Sequence, residues 1–143
     1  MKVFISYSRI DASETANTIH TYLKDCGHKV FIDTSDIRGG DEWRNTIERN
    51  ISDSDIFVLI VSRSAYRRPE VKKELEIADN MKKRIIPCVN KRYVNYEDLP
   101  DNIKKYNGIN FERLDDLIQE LDYKIEVEIK DQGKIYNEIK YKY

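Results

Sequence analysis

The sequence predicts an α/β fold, a flavodoxin-like doubly wound sheet of five parallel strands. Two observations lead to this expectation. Short apolar runs alternate with segments whose apolar residues recur at helical spacing, and this order of strand and helix repeats five times. The most apolar run, Ile56–Val61, is the near-continuous block of β-favouring residues expected of a central strand buried on both faces. A chain of 143 residues is long enough for one domain with a sizeable core.

Composition narrows the classes of partner. Hydrophobic residues make up 40% of the chain and charged residues 36%, with a formal net charge of −1. Because basic and acidic residues are interleaved, neither nucleic acid nor an anionic membrane is expected as a partner. No apolar run approaches transmembrane length and no signal peptide is visible, so we expect a cytoplasmic protein. Cys26 and Cys88 are expected to be reduced thiols packed like small apolar residues.

The chain opens with a strand and a helix. Val3–Tyr7 reads as a short buried strand, and the polar loop Ser8–Asp11 follows it. Asp11 and Glu14 have the spacing of a capping box at the start of the first helix. Gly27 is placed to end that helix.

The second strand, Val30–Ile32, ends at Asp33. The loop Thr34–Gly40 follows and contains two adjacent glycines, which make it flexible. Asp41 is placed to cap the second helix. The inward face of that helix is predicted to consist of Trp43, Ile47 and Ile51.

The third helix follows the central strand and carries the main candidate for chemistry. Pro69 suits the first helical position, and Arg68 before it is biased out of the helical conformation. The helix has an inward apolar face, and Glu74 lies beside it, near the carboxyl end of the buried strand. In a flavodoxin-like sheet, the loops Ser8–Asp11 and Ser62–Arg68 flank one crevice, where ligands bind. We expect Glu74 to face that crevice.

The remainder of the chain completes the sheet. Arg84–Val89 reads as the fourth strand, with Pro87 indicating a position near the sheet edge or a strand end. Gly108–Phe111 and Leu114–Leu121 read as the fifth strand and a closing helix. We divide the chain into a domain of residues 1–121 and an extension of residues 122–143. Apolar residues alternate in the extension around a predicted turn at residues 131–133, which favours a β-hairpin.

Several familiar sites are absent from the sequence. There is no GxGxxG after the first strand and no GxxxxGK[ST] anywhere, which excludes the usual dinucleotide and P-loop motifs. His20 and His28 lack the spacing of metal ligands, so no metal site is predicted. Ser62 and Ser64 have no histidine placed to activate them, which disfavours a serine nucleophile.

Glu74 has two interpretations on spacing alone. A glutamate near a helix start is ordinarily a solvated residue favoured by the helix dipole. However, Glu70 places a like charge one turn away, and position 78, where a lysine would support Glu74, is Ala78. A carboxylate in this setting, at the ligand-binding edge of a sheet, is a candidate functional group.

In order and spacing, these motifs resemble a Toll/interleukin-1 receptor (TIR) domain from the start of the chain to about Leu121. Catalytic members of this family hydrolyse NAD⁺, and the segment holding their catalytic glutamate is similar to VKKELEIA at Val71–Ala78. The other similar segments are VFISYS at Val3–Ser8, VFIDTSDIRGG at Val30–Gly40, the run from Gly40 to Ser62, and the later strands IIPCV and GINF.

The resemblance implies a set of site residues. Glu74 matches the catalytic glutamate of NAD⁺ glycohydrolases and ADP-ribosyl cyclases, with NAD⁺ as substrate and no separate cofactor. The loop after the first strand would border the nucleotide, and the segment after the second strand would shape the site, often together with a neighbouring protomer. These substrate-binding candidates are Tyr7, Ser8, Arg9, Asp33, Asp36, Gly39 and Gly40.

The leading reading is therefore an NAD⁺ glycohydrolase or cyclase, active as a homo-oligomer through TIR–TIR contacts, in defence or stress signalling. The alternative is a non-enzymatic interaction module. It is favoured by Glu70, which stands where NAD-cleaving members commonly have tryptophan. A third reading is a related fold acting on nucleosides. The product, ADP-ribose or a cyclic isomer, is left open.

Overall fold

The alternating apolar runs and amphipathic segments build one parallel sheet with helices on both faces. The structure, a computed structural model, describes residues 1–33 and 40–142, the last nine of these as backbone only. The strands are β1 (Lys2–Ser6), β2 (Lys29–Ile32), β3 (Ile56–Val61), β4 (Arg84–Asn90) and β5 (Ile109–Phe111). The helices are α1 (Ser13–Asp25), α2 (Asp41–Asp53), α3 (Pro69–Asn80), α4 (Asp101–Lys104) and α5 (Leu114–Lys142). The strand order is β2-β1-β3-β4-β5, every neighbouring pair is parallel, and the predicted flavodoxin-like fold is confirmed.

The central strand β3 separates two apolar clusters. All six of its residues are buried, and their side chains alternate between the α1/α5 core and the α2/α3 core, each named after the helices that cover it. In the α2/α3 core, the ring of Phe4 stacks on Phe57 at 5.4 Å and on Phe31 at 5.2 Å. Each such pair contributes about 0.5–1.5 kcal/mol beyond burial, which helps to fix the register of three neighbouring strands.

Two glycines at helix ends have a left-handed backbone conformation that would be strained in a residue with a side chain. Gly27 follows α1 with φ 91°, as predicted. Gly40 precedes α2 with φ 85°. Asp41 is therefore the first residue of α2 and not its cap, a correction to the sequence prediction.

The predicted C-terminal hairpin is wrong, because α5 continues as one helix of 29 residues to Lys142. The alternating pattern hides a helical stripe: Leu117, Leu121 and Ile125 recur every four residues and are buried in the α1/α5 core. Val127 and Ile129, which suggested a strand, are 37% and 38% exposed. Packing of the stripe on the sheet therefore decides the conformation. The domain division at residue 121 stays a prediction.

The two cysteines lie in different environments. Both are free thiols, but Cys26 is exposed, which corrects the expectation that it packs like an apolar residue. Cys88 is buried in β4, as expected, and burial raises the pKa of its thiol to about 12. Within the described part of the chain, no helix combines the length and apolar character needed to span a membrane.

Candidate functional site

The candidate site lies at the carboxyl ends of β1 and β3, where the strand order reverses. The loops that follow these two strands meet directly, since Ser8 Oγ and Ser64 Oγ lie 2.5 Å apart. Both serines therefore belong to one wall of the crevice, although 56 positions separate them in the chain. The side-by-side placement of these loops is the one that the sequence predicts.

Asp11 holds the loop after β3 against the loop after β1. Its carboxylate accepts hydrogen bonds from Ser62 Oγ at 2.6 Å, from Ser64 Oγ at 2.8 Å and from Ser64 N at 3.0 Å. Burial raises the pKa of Asp11, but these hydrogen bonds favour the charged form and hold the pKa below its ordinary value of 3.8. The predicted capping box is wrong: α1 begins at Ser13 without a side-chain cap, because this carboxylate is engaged across the crevice.

A second set of contacts fixes Asp33 at the end of β2. Trp43 Nε1 donates to Asp33 Oδ2 at 3.0 Å, and the Tyr7 hydroxyl donates to the Asp33 carbonyl at 3.2 Å. Trp43 also packs on the α2/α3 core, so its predicted core role is confirmed, while the hydrogen bond is new. The Tyr7 ring lies in the α1/α5 core, on the other side of the sheet. Asp33 is thus held from both faces.

Glu74 is the buried acid of α3. Only 2% of it is exposed, whereas the acids on either side of it in the helix, Glu70 and Glu76, remain in contact with solvent. Pro69 starts α3 as predicted, the helix buries Val71, Glu74 and Leu75, and it packs against α2 and β1. The reading of Glu74 as a solvated surface residue is therefore wrong. Placing a carboxylate inside a protein costs free energy, which makes this position unusual for a purely structural residue.

Arg68 modifies the charge around Glu74. Its Nε lies 3.5 Å from Glu70 Oε2, and both side chains are partly exposed. The like-charge opposition that the sequence predicts between Glu70 and Glu74 is therefore partly offset by a cation that also belongs to the loop after β3.

A cavity lies on the flank of α3 that is opposite to Glu74. It has a volume of about 500 Å³ and extends between α3 and α4. Val71 and Leu75 form part of its apolar wall, and none of the predicted site residues that the structure describes lines it.

Two further site candidates are exposed to solvent. Arg9 lies exposed in the loop after β1, and Gly40 is exposed at the start of α2. Asp36 and Gly39 lie outside the described residues. The sequence did not predict the hydrogen bonds that Asp11 and Trp43 make to other site residues. Within the described residues, no group of His, Cys, Asp or Glu side chains is arranged to hold a metal ion.

A five-stranded parallel sheet with its crevice at the β1/β3 reversal places the protein in the flavodoxin-like class. Within that class, the family model for the TIR domain matches residues 3–122. The chain therefore belongs to the TIR domain family, as its motifs indicate.

Two curated relatives carry an enzymatic name. The chain is 27% identical over 124 residues to NAD(+) hydrolase sarm1 of Drosophila melanogaster, and 30% identical over 121 residues to NAD(+) hydrolase SARM1 of Danio rerio. These matches cover 78% and 76% of this chain but only 9% and 17% of the relatives, so the chain corresponds to a small part of each.

Solved structures share the fold at lower identity. The TIR domain of the Toll-related receptor TRR-2 from Hydra magnipapillata superposes with a TM-score of 0.69 at 21% identity, over 87% of this chain and 97% of that one. The CMP N-glycosidase BcmB of Clostridium botulinum gives a TM-score of 0.63 at 17% identity, over 86% and 98%. These similarities establish the fold alone.

Proposed function

We propose that this TIR domain cleaves the bond between nicotinamide and ribose in NAD⁺, as a glycohydrolase or ADP-ribosyl cyclase, with Glu74 as the catalytic residue. The observation that carries the proposal is the burial of this one acid of α3 at the ligand-binding edge of the sheet. The names of the two curated relatives support NAD⁺ as the substrate.

The chemistry needs only one carboxylate. Nicotinamide leaves a cationic ring as a neutral molecule, so no general acid has to protonate it. Positive charge develops on the ribose as the bond breaks, and a nearby carboxylate stabilises that charge and holds the ribose hydroxyls. Glu74 supplies this group. Attack by water then gives ADP-ribose, and attack by adenine gives a cyclic product.

The neighbouring loops take the supporting roles. Ser8 and Arg9 border the nucleotide, and the hydrogen bonds of Asp11 hold their loop in position. Tyr7 and Asp33 fix the end of β2, from which the segment containing Asp36, Gly39 and Gly40 leads into α2 and shapes the site. NAD⁺ is the substrate, and no resident cofactor is part of the proposal.

Self-association is the proposed means of activation. A carboxylate that is 2% exposed cannot contact a dinucleotide until the groups that cover it move. Contacts between TIR domains can supply the free energy for that rearrangement, because they are more favourable when Glu74 is accessible than when it is covered. A homo-oligomer in the cytoplasm, acting in defence or stress signalling, completes the proposal.

The test is a concentration series. Purified protein is incubated with saturating NAD⁺ over a hundredfold range of protein concentration, and the products are separated by chromatography. We expect nicotinamide release whose specific activity rises with protein concentration and disappears in Glu74→Gln. A constant specific activity would contradict activation by self-association while leaving the enzymatic assignment intact.

The second candidate is a non-enzymatic interaction module. It is favoured by Glu70, which occupies the position of an expected aromatic platform and pairs with Arg68. Self-association without nicotinamide release at any protein concentration would support this function. Incubation with nucleosides in place of NAD⁺ examines the third reading, a domain that acts on nucleosides.

A further inference from the structure

The hydroxyl of Ser6 stands apart from the other buried polar groups. Ser6 is the last residue of β1 and is 0% exposed. Among the described residues, its Oγ is the one buried side-chain polar atom without a hydrogen-bond partner. Such a group costs free energy, so its presence in a folded protein calls for an explanation.

The strand pattern places this hydroxyl on the same side of the sheet as α3. Side chains alternate along β1, so Ser6 shares a face with Phe4, which lies in the α2/α3 core. Its register partner on β3, Leu59, lies in the same core. Tyr7, the next residue, packs in the α1/α5 core. Ser6 therefore lies on the side of the sheet that α3 covers, and Tyr7 lies on the other side.

Ser6 and Glu74 both lie toward the crevice end of the elements that carry them. Phe4 and Ala78 are both buried in the α2/α3 core, and α3 contacts β1. Because α3 connects two parallel strands, it runs antiparallel to them. The step from Phe4 to Ser6 is about 6.6 Å toward the crevice. One turn of α3 from Ala78 to Glu74 is about 6 Å in the same direction.

We infer that Ser6 is a substrate-binding residue whose hydroxyl pairs with a sugar hydroxyl of the ligand beside Glu74. The inference deepens the proposed function and depends on it. An ionised Glu74 can only accept hydrogen bonds, whereas a serine hydroxyl can donate or accept. Two neighbouring ribose hydroxyls can therefore engage both residues at once. Ligand binding then supplies the partner that Ser6 Oγ lacks among the described residues.

The experiment compares Ser6→Ala with Ser54→Ala in the full chain. Ser54 is also a buried serine, but its hydroxyl donates to the Asn50 carbonyl at 2.7 Å. It ends α2 just before the amino end of β3, away from the crevice at the carboxyl end of that strand. We measure the melting temperature and kcat/KM for NAD⁺. Ser6→Ala should keep or raise the melting temperature and lower kcat/KM about tenfold. Ser54→Ala should lower the melting temperature and leave kcat/KM unchanged.

Each remaining outcome decides the question. If wild-type protein cleaves NAD⁺ and Ser6→Ala has kcat/KM within twofold of it, the inference on Ser6 is overturned while the proposed function stands. A lower melting temperature with unchanged kinetics assigns the hydroxyl a structural role and also overturns the inference on Ser6.

If NAD⁺ is not cleaved but raises the melting temperature of the wild type, the proposed function fails. Loss of that increase in Ser6→Ala then supports the binding role, and its retention overturns it. If NAD⁺ is not cleaved and does not raise the melting temperature of the wild type, the proposed function and the inference on Ser6 are both overturned.

Discussion

The two flanks of α3 differ in what they bury. On one flank, Val71 and Leu75 face a cavity of about 500 Å³. On the other, Glu74 is 2% exposed, and the buried hydroxyl of Ser6 belongs to the strand β1 that α3 contacts. The first flank offers space, and the second holds polar groups whose burial costs free energy. The comparison teaches that the proposed chemistry follows the buried polar groups of α3 and not the open volume beside it.

The two acidic residues of the cavity, Glu76 and Asp79, both have partners within the protein. Asp79 accepts hydrogen bonds from Lys105 Nζ at 3.0 Å and from the hydroxyl of Tyr106. Glu76 lies 3.8 Å from Lys73 on the same helix. Exposed pairs of this kind contribute about 0–1 kcal/mol each. The two acidic residues of the cavity therefore need no ligand to explain them.

The largest effect expected from this difference is on catalysis. Glu74→Gln removes the charge that stabilises the developing cation, so kcat for NAD⁺ should fall about a thousandfold. Glu76→Gln, the matched change on the exposed surface of the same helix, should alter kcat less than twofold. Both variants are checked for unchanged melting temperature before nicotinamide release is measured.

The opposite result for the two variants would contradict the difference proposed between the two flanks of α3. Near-wild-type turnover in a folded Glu74→Gln protein would remove Glu74 from the site. A large loss in Glu76→Gln would move the chemistry toward the cavity flank.

The cavity flank should affect stability instead. Leu75 is 5% exposed and borders the cavity, so Leu75→Ala enlarges an existing void. The free energy of unfolding should fall by about 2–4 kcal/mol, measured by urea denaturation. Turnover per folded molecule should stay within twofold of wild type, since the Glu74 flank is untouched. A selective loss of turnover without loss of stability would show that the cavity takes part in catalysis.

The sheet was predictable because its signals are local. The continuous apolar run Ile56–Val61 identified the central strand with the bounds that the structure gives. The strand–helix repeat then left few parallel topologies to consider. The tail was not predictable in the same way, because Ile125 fits both an alternating and a helical pattern. Only its burial with Leu117 and Leu121 decides between them.

The positions of the site candidates were predictable where one stretch of chain carries the information. The place of Glu74 and of the loop after β3 follows from the β3–α3 unit. The contacts of Asp11 with Ser62 and of Trp43 with Asp33 do not, because each joins side chains from separate elements. Sequence spacing instead suggested a local capping role for Asp11. Ser6 was missed because a serine in an apolar strand gives no signal until its lack of a partner is seen.

The smallest expected effect concerns Asp11, whose hydrogen bonds join the two loops on the crevice side. Hydrogen bonds from Ser62 and Ser64 outweigh the effect of burial and hold its pKa in the folded state below the ordinary value of 3.8. A carboxylate with a lowered pKa contributes stability above its unfolded pKa, and that stability is lost as the pH falls through the folded pKa. Asp11→Asn should therefore cost about 1 kcal/mol of unfolding free energy at pH 7.

The difference in unfolding free energy between wild type and Asp11→Asn should narrow steadily below about pH 4, because Asp11 of the wild type is protonated first in the unfolded state and, at lower pH, in the folded state. Urea denaturation of both proteins at several pH values isolates this group, because every other carboxylate titrates in both. Ser64→Ala serves as the matched control: it removes one donor, should reproduce part of the loss, and should not add fully to Asp11→Asn in the double variant. A difference that stays constant down to pH 2.5 would mean that these hydrogen bonds do not favour the ionised carboxylate.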